Sequence, residues 1–221
     1  MITIVPENLK FFVIDDAASH SPMGALAGRG FKTGPSPWCP KCGGFAGWPE
    51  WLPPRKAELE LFTREFADLA TMSSNDLLIS ERFAQMYRET GLIGLRGFSP
   101  VEIKGVRCRY KMKVPRPKYL YAVPAESMAA FDSVASECEW EVPPACDLCR
   151  DGARIRWKRT LLEPGTWSGE DIFSARGSTE IMVSCRFKTM CDDHGLKIPR
   201  LVPAETYGVQ AWRRMTPSSG W

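Results

Sequence analysis

The sequence predicts an α+β fold in which two related strand–helix–strand halves form a single compact domain over residues 1–221. Two observations predict it. A unit spanning about residues 39–104 is repeated, with its features in the same order, over about residues 146–207. Each copy also opens on a Cys-x-x-Cys pair, and two such pairs are typical of a zinc-ribbon-like site that joins two segments of chain.

The repeat is clearest around the predicted helices. Residues 78–92 align without gaps to residues 182–196, and Ser, Arg, Phe, Met, Gly and Leu match at an offset of 104. A Pro-x-Glu segment after each helix recurs at an offset of 103, at Pro100–Glu102 and Pro203–Glu205, and the cysteine pairs recur at 107. Three similar offsets in the same order indicate a duplicated unit of about a hundred residues.

In the first copy, a predicted strand leads directly into a capped helix. The apolar run Leu77–Ile79 is the strand, and Ser80 is a good N-cap because its hydroxyl accepts a hydrogen bond from a free helix N–H. Gly91 ends the helix, where a left-handed residue is needed. An extended segment, Pro100–Glu102, is expected to follow. The packing face of the helix consists of Phe83, Met86 and Tyr87.

The second copy repeats this order. The strand is predicted over Ile181–Val183, with Ser184 as the cap and Gly195 as the end of the helix. His194 lies in the last turn, where a cation opposes the negative end of the helix dipole, so we expect a solvated capping role for it. The packing face consists of Phe187, Met190 and Cys191.

Three segments outside the matched helices complete the prediction. Pro53-Pro54 opens a helix from about Arg55 to Met72, with Leu59, Phe62, Phe66 and Leu69 on one face. Residues 106–114 alternate as a strand, and residues 154–158 do so more briefly. The basic face of each strand could bind an acidic partner or a phosphate backbone, or it could be an ordinary solvated surface. Residues 115–117 and 141–144 are predicted connections. The basic side chains of the longer strand are Arg107, Arg109, Lys111 and Lys113.

The candidate metal ligands are Cys39, Cys42, Cys146 and Cys149. We expect one structural zinc ion per chain, because four protein ligands close the coordination shell. The first pair also resembles a thioredoxin motif, but Pro and Gly flank it in place of the strand and helix that motif requires. Disulfides and free buried thiols remain alternatives. The other cysteines lack partners at metal spacing and are expected to be packing or surface residues: Cys108, Cys138, Cys185 and Cys191.

Composition narrows the function classes. The chain is 44% hydrophobic and 25% charged, as globular proteins are, and its net charge of +3 is too mild to indicate nucleic acid. No signal peptide and no membrane-spanning apolar run is found, so we expect a cytoplasmic protein with reduced thiols. The two histidines, His20 and His194, lie in unrelated contexts. No phosphate loop, nucleophile elbow or His-Glu-x-x-His helix is present, so no enzyme is expected.

The motifs resemble the double-CxxCG-motif proteins, a family expanded as paralogues in myxobacteria that includes immunity proteins of swarm-inhibition lipoprotein toxins. The resemblance rests on Trp38–Gly43, on Cys146–Cys149 and on the strand-Ser-x-Arg-Phe segments at Ser80 and Ser184. It spans residues 38–205. The strand-Ser-x-Arg-Phe segment also looks like a broader class of bacterial immunity proteins.

The second pair departs from the family pattern, with Asp147 where Pro is expected and Arg150 where Gly is expected. This change is expected to loosen the second turn while keeping both thiolates. The resemblance implies a protein of bacterial competition that neutralises a cognate toxin, the product of the adjacent gene, by stoichiometric occlusion. The alternative is a zinc-ribbon nucleic-acid-binding protein. Tryptophans expected as core residues or interface anchors are Trp48, Trp51, Trp140, Trp157, Trp167 and Trp212.

Overall fold

The computed structural model describes residues 10–17, 20–72, 75–108 and 118–209, and this part of the chain is mostly β-structure with two short α-helices. The helices are α1 (Glu81–Glu89) and α2 (Cys185–Asp193), and a 3₁₀ turn (Ala204–Thr206) follows the last strand. The strands are β1 (Phe11–Asp15), β2 (Met23–Ala27), β3 (Lys32–Thr33), β4 (Trp51–Leu52), β5 (Lys56–Leu61), β6 (Leu69–Thr71), β7 (Leu77–Ser80), β8 (Leu95–Cys108), β9 (Tyr119–Ala130), β10 (Glu139–Val142), β11 (Ala153–Arg156), β12 (Ile172–Arg176), β13 (Ile181–Ser184) and β14 (Arg200–Pro203).

Ten of these strands form one mixed sheet that curls into a half-barrel. Its main path runs β14-β1-β13-β12-β9-β8-β5-β2, with β7 paired to both β9 and β6. Most neighbours are antiparallel, whereas β12 with β9 and β5 with β8 are parallel. The right-handed twist of the strands accumulates along such a long sheet and curls it. Two small ribbons, β3–β4 and β10–β11, lie apart from this sheet.

The two helices pack on the sheet and on each other. Phe83 of α1 and Phe187 of α2 are both fully buried, with ring centroids 5.9 Å apart. A second apolar cluster includes Leu59 and Leu61 of β5 and Tyr121 of β9. Because burial of each such side chain stabilises the fold by roughly 1.5–3 kcal/mol, these clusters hold the sheet in its curled form.

Both predicted strand–cap–helix units are confirmed. The hydroxyls of Ser80 and Ser184 accept hydrogen bonds from the third N–H of their helices, at 3.0 and 3.2 Å. Gly91 and Gly195 follow the helices with φ of +63° and +56°, the left-handed conformation that ends a helix. The α+β prediction is therefore confirmed in part, because these units are present but β-structure dominates the described chain.

The predicted helix over residues 55–72 is wrong. The segment forms β5 and β6 instead. Ala57, Leu59 and Leu61 are all at most 1% exposed, so every second residue of β5 faces the core. Pairing of β5 with β2 on one side and β8 on the other satisfies its backbone. These tertiary contacts override the helical spacing of the larger apolar residues.

Of the remaining sequence predictions, some are confirmed, one is wrong in part and some lie outside the described residues. Residues 106–108 end β8, while residues 109–114 and the connection 115–117 lie outside the described residues. The short strand at 154–158 is present as β11, and Pro100–Glu102 is extended within β8. The predicted connection at 141–144 is wrong in part, because β10 extends through Val142. In the second copy, the Pro203–Glu205 segment leaves β14 and enters the 3₁₀ turn at Ala204. Neither described helix has the length and apolar composition needed to cross a membrane.

Candidate metal centre

Each Cys-x-x-Cys pair lies in the loop of a two-stranded ribbon. The first pair follows β3 and precedes β4, and the second lies between β10 and β11. The backbone closes both turns alike, because the N–H of Gly43 donates to the Cys39 oxygen at 2.8 Å and that of Arg150 donates to the Cys146 oxygen at 2.9 Å. We call these two turns the first and second knuckle.

The residue that ends each knuckle is left-handed, with φ of +70° at Gly43 and +57° at Arg150. This conformation is natural for Gly but costs a residue with a Cβ roughly 1–2 kcal/mol. Arg150 offsets that cost through Glu163, to which its Nη1 and Nη2 donate at 2.6 and 2.8 Å. The arginine therefore fastens the second knuckle to a neighbouring loop, and the expected loosening of this turn is not what the structure shows.

The knuckles face each other and bring four sulfurs together. All four Sγ atoms lie within 4.8 Å of one another. Across the pairs, Sγ of Cys39 lies 3.8 Å from that of Cys146, and Sγ of Cys42 lies 3.6 Å from that of Cys149. A tetrahedral ion with metal–sulfur bonds of about 2.3 Å needs sulfurs about 3.8 Å apart. The predicted cysteines thus form a group able to hold a metal ion.

The group favours thiolates at two of its positions. The backbone N–H of Cys42 lowers the pKa of Cys39 to about 6, and that of Cys149 lowers the pKa of Cys146. At Cys42 the N–H of Gly44 lowers the pKa, but the neighbouring thiols of Cys39 and Cys149 raise it to about 12. Because four thiolates at this spacing repel one another, a cation among them is needed for all four to ionise.

An ion pair that the sequence did not predict also bridges the knuckles. Nζ of Lys41 lies 2.5 Å from Oδ1 of Asp147, which raises the pKa of the lysine and lowers that of the carboxyl. Both side chains are more than half exposed, so solvent screens the pair and it contributes little to stability. Asp147 therefore links the second knuckle to the first.

A cleft of about 670 Å³ lies beside the four-cysteine group. Its lining includes Phe45 and Trp48 of the first knuckle loop and Met128 of β9. These side chains are 36%, 50% and 57% exposed, although they are large and apolar. The rings of Phe45 and Trp48 meet edge to face, 5.5 Å apart. Large exposed apolar side chains in a cluster are typical of protein interaction surfaces.

The other cysteines behave as the sequence predicts. Within the described ranges, the paired cysteines are the one group of His, Cys, Asp or Glu side chains able to hold a metal ion. Cys191 packs in the core, where burial raises its pKa to about 12. Cys185 is exposed and donates to the Lys10 oxygen at 3.2 Å. Cys108 and Cys138 are partly buried.

The basic strand faces are largely neutralised where they are described. Arg107 pairs with Glu58 at 2.9 Å, and Arg156 of β11 pairs with Glu139 at 2.5 Å. Arg154 is not on a solvated face at all, because its side chain is only 8% exposed and pairs with a glutamate that is equally buried. Arg109, Lys111 and Lys113 lie outside the described residues. The described cations therefore offer little free charge to a phosphate backbone.

The tryptophans divide between core and surface. Trp51 and Trp157 are buried, at 2% and 7% exposure, whereas Trp38 and Trp48 of the first knuckle are 64% and 50% exposed. Trp212 lies outside the described residues. The sequence did not separate these two groups, because burial of Trp depends on which face of the ribbon meets the sheet.

No protein-family model matches this chain, and no curated protein matches it.

Proposed function

We propose that the four-cysteine group holds one structural zinc ion per chain. The observation that carries this is the separation of 3.6 and 3.8 Å between facing sulfurs of two knuckles with the same backbone turn. Four thiolate ligands suit zinc and leave no open position for a substrate or water, so the role is structural. This closed shell also supports a function that is not enzymatic.

The ion would hold together two segments that are far apart in the chain. The facing cysteines are 107 residues apart. Closing so long a loop costs roughly 1.5 kcal/mol more than closing the loop of a compact zinc module, because the entropy grows only with the logarithm of length. Structural zinc contributes roughly 10–16 kcal/mol in small peptides. Binding therefore outweighs the cost of the long loop.

Metal analysis of the purified protein tests this assignment. We expect close to one zinc per chain, and Cys146→Ser should release it and lower the melting temperature. Cys185→Ser, which changes an exposed thiol outside the group, is the matched control and should keep the metal. A metal-free protein with four intact thiols and an unchanged melting temperature would show that the assignment is wrong.

We also propose that the two halves arose by internal duplication. The strand–cap–helix units β7–α1 and β13–α2 share their cap geometry, and both knuckles share a backbone turn. Equivalent residues lie 104 apart in the helices, as Phe83 and Phe187 do, and 107 apart in the knuckles. The zinc ion then joins one corner of each half.

At the level of the cell, we propose that the protein is a cytoplasmic immunity protein that binds and neutralises a cognate protein toxin. Support comes from the resemblance in the motifs around both knuckles and both helices, and from exposed Trp38, Phe45 and Trp48 next to the metal centre. Aromatic side chains of this kind are the usual anchors of tight interfaces. The inhibition is stoichiometric, since the proposed closed metal shell has no position for turnover.

Co-expression with the product of the adjacent gene tests this proposal. We expect that product to stop growth on its own and this protein to restore growth. Trp48→Ala should weaken the complex at least about tenfold while leaving the metal content unchanged. Val134→Ala is the control, because Val134 is 86% exposed but does not line the cleft. A toxic product that this protein fails to counter would refute the immunity assignment.

A further inference from the structure

The two halves touch each other through pairs of equivalent residues. Let half A be the described residues up to 108 and half B be residues 118–209. The Phe83 ring of half A meets Phe187 of half B. The side-chain amide of Asn75 donates to the Thr179 oxygen, 104 residues further along, at 2.8 Å. A residue can contact its own equivalent only near a two-fold axis, so the halves meet as the subunits of a symmetric dimer do.

Buried aspartates repeat this symmetry in both directions. Asp68 of half A accepts a hydrogen bond from the Lys197 N–H of half B at 2.9 Å. Asp171 of half B accepts one from the Ile93 N–H of half A at 3.0 Å. Each carboxylate also accepts the hydroxyl of the N-cap serine in its own half, at 2.6 and 2.7 Å. Each helix start is thereby tied to the turn after the other helix.

Two arginine side chains also make hydrogen bonds across the boundary between the halves. Arg82 of α1 donates to the His194 oxygen at the end of α2. Arg186 of α2 donates to the Gly91 oxygen just after α1, at 3.4 Å. Both arginines also lie near the buried aspartate of their own half, at 3.6 and 3.2 Å. The contact that an arginine of half A makes with half B is therefore matched by the contact that an arginine of half B makes with half A.

The halves also exchange a strand. β1 belongs to half A but lies between β13 and β14 of half B, with Phe11 opposite Ser184. β9 belongs to half B but lies between β7 and β8 of half A, with Tyr119 opposite Ser80. Without the other half, each sheet would have a gap with unpaired backbone N–H and C=O groups on both sides.

We propose that the two halves meet at a dimer interface with exchanged strands. The partner that each half binds is a second copy of the same unit. Neither half is a complete sheet alone, so the halves assemble with each other even when they are separate chains. Half B of a second copy of this protein can take the place of the original half B. This inference depends on the strands and the Asp and Arg contacts, and is independent of the toxin proposal.

Cutting the intact metal-loaded protein between the halves tests this inference. A protease site is inserted within residues 109–117, between the halves in sequence, and the cut sample is examined by size exclusion and native mass spectrometry. We expect the two fragments to remain a one-to-one complex. When light and isotope-labelled cut samples are unfolded, mixed and refolded with zinc, mixed complexes should form. Fragments that separate in native buffer, or that fold alone as monomers, would overturn the inference.

Point variants link the result to the contacts named above. Arg82→Ala and Arg186→Ala should each raise the dissociation constant of the cut complex about tenfold, since each removes a charged donor that crosses the boundary. Asp192→Ala, which changes a carboxylate that is 61% exposed and paired with Lys188 on the same helix, is the control and should leave the constant unchanged. If both arginine variants match this control, the reciprocal contacts do not hold the halves together.

The uncut insertion variant must melt like the parent. If the insertion prevents folding, hydrogen exchange on the intact chain decides the matter instead. Arg186→Ala in half B should then speed exchange at residues 91–93 of half A at least about tenfold, whereas Asp192→Ala should not. Faster exchange confined to half B would contradict the reciprocal interface.

Discussion

Replacing Asp171 with alanine tests how strongly one buried carboxylate joins the halves. The residue is 1% exposed, and its side chain accepts hydrogen bonds from the Ser184 hydroxyl at 2.7 Å and the Ile93 N–H at 3.0 Å. Bonds to a charged acceptor contribute about 1.5–3 kcal/mol each, and the variant would lose both of these bonds. The ion pair with Arg186 adds little because that arginine is 61% exposed.

From these contacts we expect Asp171→Ala to lower the free energy of unfolding by about 3–4 kcal/mol. For a chain of this size, that corresponds to a fall in melting temperature of roughly 10 °C. Urea denaturation at constant zinc concentration measures the change. Asp192→Ala is the control, because this carboxylate is 61% exposed and pairs with Lys188 on the same helix, so a change below about 0.5 kcal/mol is expected. A loss below 1 kcal/mol in Asp171→Ala would refute the role assigned to the carboxylate.

Two further predictions concern the second knuckle and a close backbone contact. Arg150 lowers the pKa of Glu163 below its ordinary 4.5, so their pair stabilises the fold above that pH and the effect is lost as the pH falls through the lowered value. The melting temperature of Glu163→Gln should therefore lie below that of the parent at pH 7 and converge with it as the pH falls through the lowered pKa; parallel curves would contradict this. Gly94→Ala should cost more than about 3 kcal/mol in urea denaturation, because an added Cβ would lie 2.1 Å from the Ile172 oxygen. Gly165→Ala, also left-handed but in open space, should cost only about 1 kcal/mol, and equal losses would show that the contact is unimportant.

Local sequence determined the parts of this protein that depend on neighbouring residues. A serine before an apolar helix face and a glycine after it specify each capped helix, because the cap bonds join residues three or four positions apart. The Cys-x-x-Cys spacing likewise places two sulfurs on one side of a turn. The duplicated order of these signals predicted which cysteines would meet.

Tertiary structure decided the features that depend on distant partners. The larger apolar residues over 59–69 have the spacing of a helix, yet pairing with β2 and β8 makes residues 56–61 the strand β5. The exchange of β1 and β9 between the halves has no local signal, because strand neighbours are chosen by the whole sheet. Arg150 breaks the expected Gly pattern, and its contact with Glu163, which lies outside the sequence motif, helps to hold the turn. The sequence thus determined the turns, the caps and the cysteine ligands, whereas long-range pairing decided how the two halves complete each other.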